Sequence, residues 1–143
     1  MLPAFEAGKL GEHICMVRLL KLGVSCELVN LDTIDIVASV DTKIIRIQVK
    51  SSILKGHRQK RSLGYQFNTS YSGKKLPLSK EHCDIVALVA TNCERVIFMP
   101  VEHLKGQTTK RLPPQKFDDG DFFEKGSLEA RSWDKCLTFL FST

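Results

Sequence analysis

Between residues 42 and 80 this 143-residue chain has no aspartate or glutamate. The same window holds Lys43, Arg46, Lys50, Lys55, Arg58, Lys60, Arg61, Lys74, Lys75 and Lys80, ten of the twenty-one basic residues. That excludes an evenly mixed charge pattern and points to a polyanionic partner. Acids gather elsewhere, notably in the segment 117–124, so an electrostatically two-sided molecule is expected. No apolar run approaches the roughly 20 residues of a membrane-spanning helix. The start Met1-Leu2-Pro3-Ala4-Phe5-Glu6 lacks the basic-then-apolar order of a secretory signal, so a cytoplasmic protein with no membrane association is expected. Five cysteines with no Cys-x-x-Cys pair do not make a disulfide framework and suit a reducing compartment. What is present is 43% hydrophobic residues, enough for one core, and residues 1–143 are expected to form a single domain.

Apolar spacing divides the chain into elements. From about Pro3 to Leu22, Leu10, Ile14 and Val17, then Leu20 or Lys21, recur at three- and four-residue intervals, which predicts a helix capped by Gly23. Gly8 and Gly11 each weaken such a helix by up to about 1 kcal/mol relative to alanine, so they mark close backbone approach. Strands are predicted at residues 25–30, 34–40 and 44–51, the last two joined around Asp41-Thr42-Lys43 as antiparallel neighbours. Residues 52–64 lose apolar periodicity and read as an exposed loop. Alternation returns at residues 65–70. Ser79 is placed to cap one helical turn. Residues 84–90 form the most apolar run, a strand buried on both faces, and residues 95–99 pair with it through a hairpin at residues 91–94. An irregular segment from Lys105 to Asp121 precedes a C-terminal helix opened by Ser127, with Trp133, Cys136, Leu137 and Leu140 on its apolar face.

Chemistry concentrates on the second and third strands. Gln48 and Lys50 are two residues apart in a β-branched run, so they share one face while Ile47 and Val49 share the other. A buried lysine or glutamine is costly without a partner, so that face opens into a polar cleft or holds something that needs these groups. Asp35, flanked by Ile34 and Ile36, is the carboxylate nearest in pattern. Phosphodiester hydrolysis needs oxygen ligands around a hard cation and a group beside the attacking water. Asp35 and Gln48 offer the oxygens together with the main-chain carbonyl of Val49, and Lys50 the positive charge. Glu12, if its helix crosses the strands, adds a second carboxylate; otherwise it is a solvated helix residue. The alternative makes Asp35 a partly exposed strand-end residue and Gln48 with Lys50 the solvent face of an edge strand. Tyr65, Phe67 and Tyr71 fit core packing better than base stacking. Gln66, at strand spacing from Asn68, is either a substrate contact or a ladder-side amide. Asp84 is either an orienting group for its neighbours or a cap. Cys83, Cys93, His82 and His103 have spacings that match no compact zinc pair.

The order Gly11-Glu12 on a helix start, Ile34-Asp35 on the second strand and Gln48-Val49-Lys50-Ser51-Ser52 on the third resembles the PD-(D/E)xK nuclease superfamily. The resemblance runs from about Lys9 to Met99. Ile34 stands where the family has proline and Gln48 where it usually has Asp or Glu. The latter is similar to intron-encoded homing endonucleases with a Gln-x-Lys motif, and the small size is similar to archaeal Holliday junction resolvases. The resemblance implies an α/β fold with a restriction-endonuclease-like core, a mixed central β-sheet flanked by helices. It implies a Mg²⁺- or Mn²⁺-dependent DNA endonuclease in which Glu12, Asp35, Gln48 and Lys50 are catalytic and Glu12, Asp35 and Gln48 bind metal. DNA would be held by Lys55, Arg58, Lys60, Arg61, Lys74 and Lys75, and a homo-dimer or homo-tetramer would supply the surface that one small domain lacks. The alternative is a catalytically inactive DNA-binding module of the same fold, since Gln48 removes one carboxylate.

Overall fold

A computed structural model describes residues 4–57, 60–71, 76–117 and 127–142, with residues 4, 5, 30, 55–57 and 60–63, among them Lys55, Lys60 and Arg61, described by backbone alone. In chain order the elements are α1 (Ala4–Lys21), β1 (Ser25–Leu31), β2 (Ile34–Val40), β3 (Lys43–Ser52), β4 (Lys55–His57), β5 (Lys60–Asn68), β6 (Ser70–Tyr71), β7 (Leu76–Pro77), β8 (Ile85–Ala90), β9 (Arg95–Pro100), β10 (Thr109–Leu112) and α2 (Leu128–Phe141). The runs of Ile and Val build the central sheet because branched side chains pack well on a pleated surface. Its order is β1-β2-β3-β8-β9. Asp41 and Thr42, both at positive φ, make the two-residue turn that sets β2 antiparallel to β3 with Val40 opposite Lys43. β3 and β8 are parallel, Ile47 to Ser52 lying opposite Ile85 to Ala90. A parallel pair requires a long crossover, and here residues 53–84 supply it.

The sheet is therefore mixed and flanked by helices, as expected, and both long helices pack on one face. There Ile14, Cys15 and Leu19 of α1 and Trp133 and Cys136 of α2 meet Ile47, Val49, Ile85, Ala87, Val89, Val96 and Phe98. The other face carries Val86, Leu88 and Ala90, covered by Tyr65 and Phe67 of β5 with Leu78, Leu104 and Phe117. All six residues of β8 are buried, which is the two-sided burial its composition called for.

Three readings are corrected. The buried stripe of α1 is Gly11, Ile14, Cys15 and Leu19, while Leu10, Val17 and Leu20 remain 41, 49 and 56% exposed. Two apolar rows satisfy helical spacing, and the row with the smaller residues wins because it lets α1 approach the sheet. Residues 52–64 are not a loop throughout: β4 pairs antiparallel with β5, Lys55 opposite Gly64 and Gly56 opposite Leu63. The irregular segment contains β10, which pairs with β5 from Thr109–Asn68 to Leu112–Tyr65. These strands are held by backbone ladders to partners, and β10 is four residues long, so periodicity had little to register. The acidic residues 118–124 lie outside the described residues. Among the described residues no helix is long and apolar enough to cross a membrane.

β9 is an edge strand, and α2 covers it. Ser127 caps α2 by accepting the N–H of Ala130 at 3.1 Å. In the same first turn Glu129, 1% exposed, accepts the N–H of Val96 at 2.8 Å and the Arg95 Nε at 3.0 Å. Ser132 accepts the N–H of Phe98 at 3.0 Å. Two outward N–H groups of the edge thus end on helix side chains instead of being open to another chain. Removing one partner of such a buried charged network leaves the rest uncompensated. Glu129→Ala is expected to cost about 3–5 kcal/mol in urea unfolding, and Ser132→Ala about 1 kcal/mol.

Candidate active site

The ladder between β2 and β3 runs from Val40–Lys43 to Ile36–Ile47 and there stops. One residue beyond it stands Asp35, half-buried, and its Oδ2 accepts the N–H of Val49 at 2.8 Å. A side chain has taken the donor that a continuing partner strand would have used. From Ile47 onward β3 is paired on its other side with β8, so its site-side edge opens at Gln48–Lys50.

Gln48 and Lys50 lie on the face opposite Ile47 and Val49, as their spacing required. The Gln48 Oε1 is buried and has no hydrogen-bond partner among the described residues. Lys50 is half-buried, and its Nζ donates to the carbonyl of Ser70 at 2.8 Å. Burial lowers the Lys50 pKa, with the Asp35 charge pulling it back up. Asp35 is displaced the other way: burial raises its pKa, opposed by the Val49 N–H and by Lys50. Glu12, half-buried on α1, is raised first by burial and then by the charge of Asp35. Glu12, Asp35 and Lys50 are thus electrostatically coupled, with the two carboxylates repelling and Lys50 attracting Asp35.

Gly11 lets α1 approach β3 closely because it has no side chain. A Cβ at Gly11 would lie 1.8 Å from the Ser51 Oγ and 3.1 Å from the Ser51 Cβ. The helix crosses β3 at that point, and the next residue, Glu12, lies near enough to Asp35 for that charge to raise its pKa. Gly8, expected to serve similarly, has nothing within 4 Å of the corresponding position.

Carboxylates, an amide oxygen and strand carbonyls are donors that would suit a hard divalent cation better than a soft one. Among the described residues no three His, Cys, Asp or Glu side chains converge as a metal cluster. A cation held here would therefore depend on Gln48. Asp84, by contrast, is structural. It accepts the Arg46 N–H at 2.8 Å and pairs with the Arg46 guanidinium at 3.0 Å, fastening the start of the β3–β8 pair. Of the expected DNA-binding residues, Lys55, Lys60 and Arg61 lie on β4 and β5, and Arg58, Lys74 and Lys75 lie outside the described residues. Sequence reasoning missed the Ser70 carbonyl that holds Lys50. Asn68 Oδ1 accepts the Ser70 N–H at 3.0 Å, an Asx turn for which Asn-x-Ser was the available signal.

Two outcomes follow from this geometry. Gly11→Ala overpacks the helix–strand crossing and is expected to cost about 1–3 kcal/mol in urea unfolding, with Ser51→Gly restoring much of the loss in the double variant. Asp35 and Glu12 have folded pKa values above their ordinary 3.8 and 4.5. Their contribution to stability is complete below those values and is lost as pH rises through the raised ones, so at neutral pH the ionised pair destabilises the fold. Asp35→Asn keeps an acceptor for the Val49 N–H and removes the charge. Its Tm should exceed that of the wild type at pH 7.5, and the difference should vanish once the pH falls below 3.8.

No protein-family model matches the chain. No curated protein matches it. Among solved structures, that of a bacterial homing endonuclease, I-Ssp6803I, is similar with a TM-score of 0.67 and 16% sequence identity, over 97% of this chain and 94% of that one. At that identity the two chains share a fold, and the match takes in nearly the whole of both.

Proposed function

We propose that this chain is a divalent-metal-dependent DNA endonuclease of the PD-(D/E)xK type. The observation that carries the reading is the buried, unpartnered Gln48 Oε1, on the strand whose Val49 N–H is held by Asp35 and on the same face as Lys50. A buried acceptor without a donor costs about 1–3 kcal/mol, and a fold that carries one beside two raised carboxylates has an unmet need for positive charge. The likeness to a homing endonuclease supports the same reading.

In this reading Asp35, Gln48 and Glu12 hold Mg²⁺ or Mn²⁺, which when bound polarises a phosphoryl oxygen and lowers the pKa of water. Lys50 stands beside the attacking water, orienting it and stabilising negative charge as it develops on the phosphate. Its lowered pKa brings its proton-transfer range closer to neutrality. The Ser70 carbonyl fixes where that ammonium sits. Lys55, Arg58, Lys60, Arg61, Lys74 and Lys75 supply phosphate contacts. Leu10, Val17 and Leu20 form an exposed apolar row on α1 that a homo-dimer or homo-tetramer would bury.

Incubation of supercoiled and branched DNA with the chain in Mg²⁺ or Mn²⁺ is expected to give nicking that Lys50→Ala and Asp35→Ala abolish while DNA binding survives. Independently of cleavage, Mg²⁺ should raise the Tm of the wild type and leave Asp35→Asn unchanged. A second reading, a DNA-binding module without catalysis, rests on there being two carboxylates at the site where the superfamily usually has more. Binding without cleavage on any substrate, and no thermal shift with either metal, would decide for it.

A further inference from the structure

β5 lies between β10 and β4 in a separate three-stranded antiparallel sheet. Its inner face is apolar and buried: Tyr65 and Phe67 pack against Phe117. Its outer face carries Gln66 and Asn68, both exposed. Across the ladder Gln66 lies opposite Arg111, and Asn68 opposite Thr109, both exposed as well. Two adjacent rungs of an open sheet face therefore present a carboxamide beside a guanidinium and a carboxamide beside a hydroxyl. Both strands come from acid-free sequence: none between residues 42 and 80, and none from His103 to Phe117.

This sheet is fastened to the strand that bears Lys50. The Ser52 Oγ accepts the N–H of Gln66 at 3.2 Å. Lys50 donates to the Ser70 carbonyl, and Ser70 is held by Asn68. A ligand seated on the outer face of β5 is thus registered against the candidate catalytic lysine through two short links.

We infer that the outer face of β5 and β10 reads base edges in the major groove of duplex DNA, with Gln66 and Arg111 as the discriminating pair. An antiparallel ribbon fits that groove. A carboxamide pairs in bidentate fashion with adenine and a guanidinium with guanine. Gln66 has an acceptor as well as donors, so beyond donating to a phosphate it can match the mixed donor–acceptor edge of a base. The Asn68 Oδ1 is engaged by Ser70, so Asn68 serves to place the Lys50 partner and its amide nitrogen is what faces outward chemistry. The inference rests on the nuclease reading and adds to it the residues that choose the site.

The test is selection from a randomised duplex library by the full chain without divalent cation, followed by sequencing, for wild type, Gln66→Ala and Arg111→Ala. Both substitutions are at exposed positions, and matching thermal melts would establish that the variants are folded. The wild type is expected to recover a defined sequence. Each variant should lose discrimination at one or two adjacent base pairs, by roughly fivefold to a hundredfold, while its affinity for random duplex changes less than about threefold, since phosphate contacts dominate that affinity. Two results would overturn the inference and leave the nuclease reading standing. One is a wild type that cleaves yet selects no sequence. The other is an Arg111→Ala variant that binds every sequence less well by the same factor, with a salt slope smaller by about one, which marks a phosphate contact. A wild type that binds no duplex and cleaves none would remove both.

Discussion

Val49 has one amide hydrogen, and where it goes decides the shape of this molecule. Had it met a main-chain carbonyl, β2 would have continued alongside β3 and closed the edge. It meets Asp35 instead. The two strands part after Ile36–Ile47, and the same segment of β3 is still held on its far side by β8. A sheet edge is opened in the interior of the fold without leaving that donor unpaired. Everything proposed for the site lies in that opening. It also explains why the polar residues there are half-buried: they line a split between strands.

The opening is energetically uncomfortable. Two carboxylates have raised pKa values, a lysine has a lowered one, and an amide oxygen has no donor. Burial opposes each of these charges, and Asp35 is coupled to both Glu12 and Lys50. Such clustering of perturbed groups is what the proposed metal site would require. The stabilising contacts are elsewhere, in β8 buried on both faces and in Glu129 and Ser132 covering the β9 edge.

Much of this was legible in the sequence because period and chemistry agreed. Gln48 and Lys50 at a spacing of two, in a run otherwise of Ile and Val, announced a polar patch on an apolar strand. The all-apolar run from Ile85 announced the central strand. Gly11 announced the close crossing of α1 and β3. What was not legible depended on partners far away in sequence. β10 is a strand because Asn68 and its neighbours pair with it. β4 holds through its ladder to β5. The buried row of α1 was misassigned because Leu10, Val17 and Leu20 satisfy helical spacing as well as Gly11, Ile14, Cys15 and Leu19 do, and only the surface that meets β3 chooses between them. Lys50 finding the Ser70 carbonyl joins two strands twenty residues apart, which no local pattern encodes.

The crossover from β3 to β8 leaves the central sheet and re-enters it at neighbouring strands, and β5 lies in the middle of that excursion. Odd-numbered residues of β5, Tyr65 and Phe67, are locked into the second core, whereas Gln66 and Asn68 point away from it. Inheritance can therefore act on the two sets separately. Change at Gln66 alters an exposed face and leaves the second core untouched, whereas change at Asn68 also loosens Ser70 and, through it, the hold on Lys50.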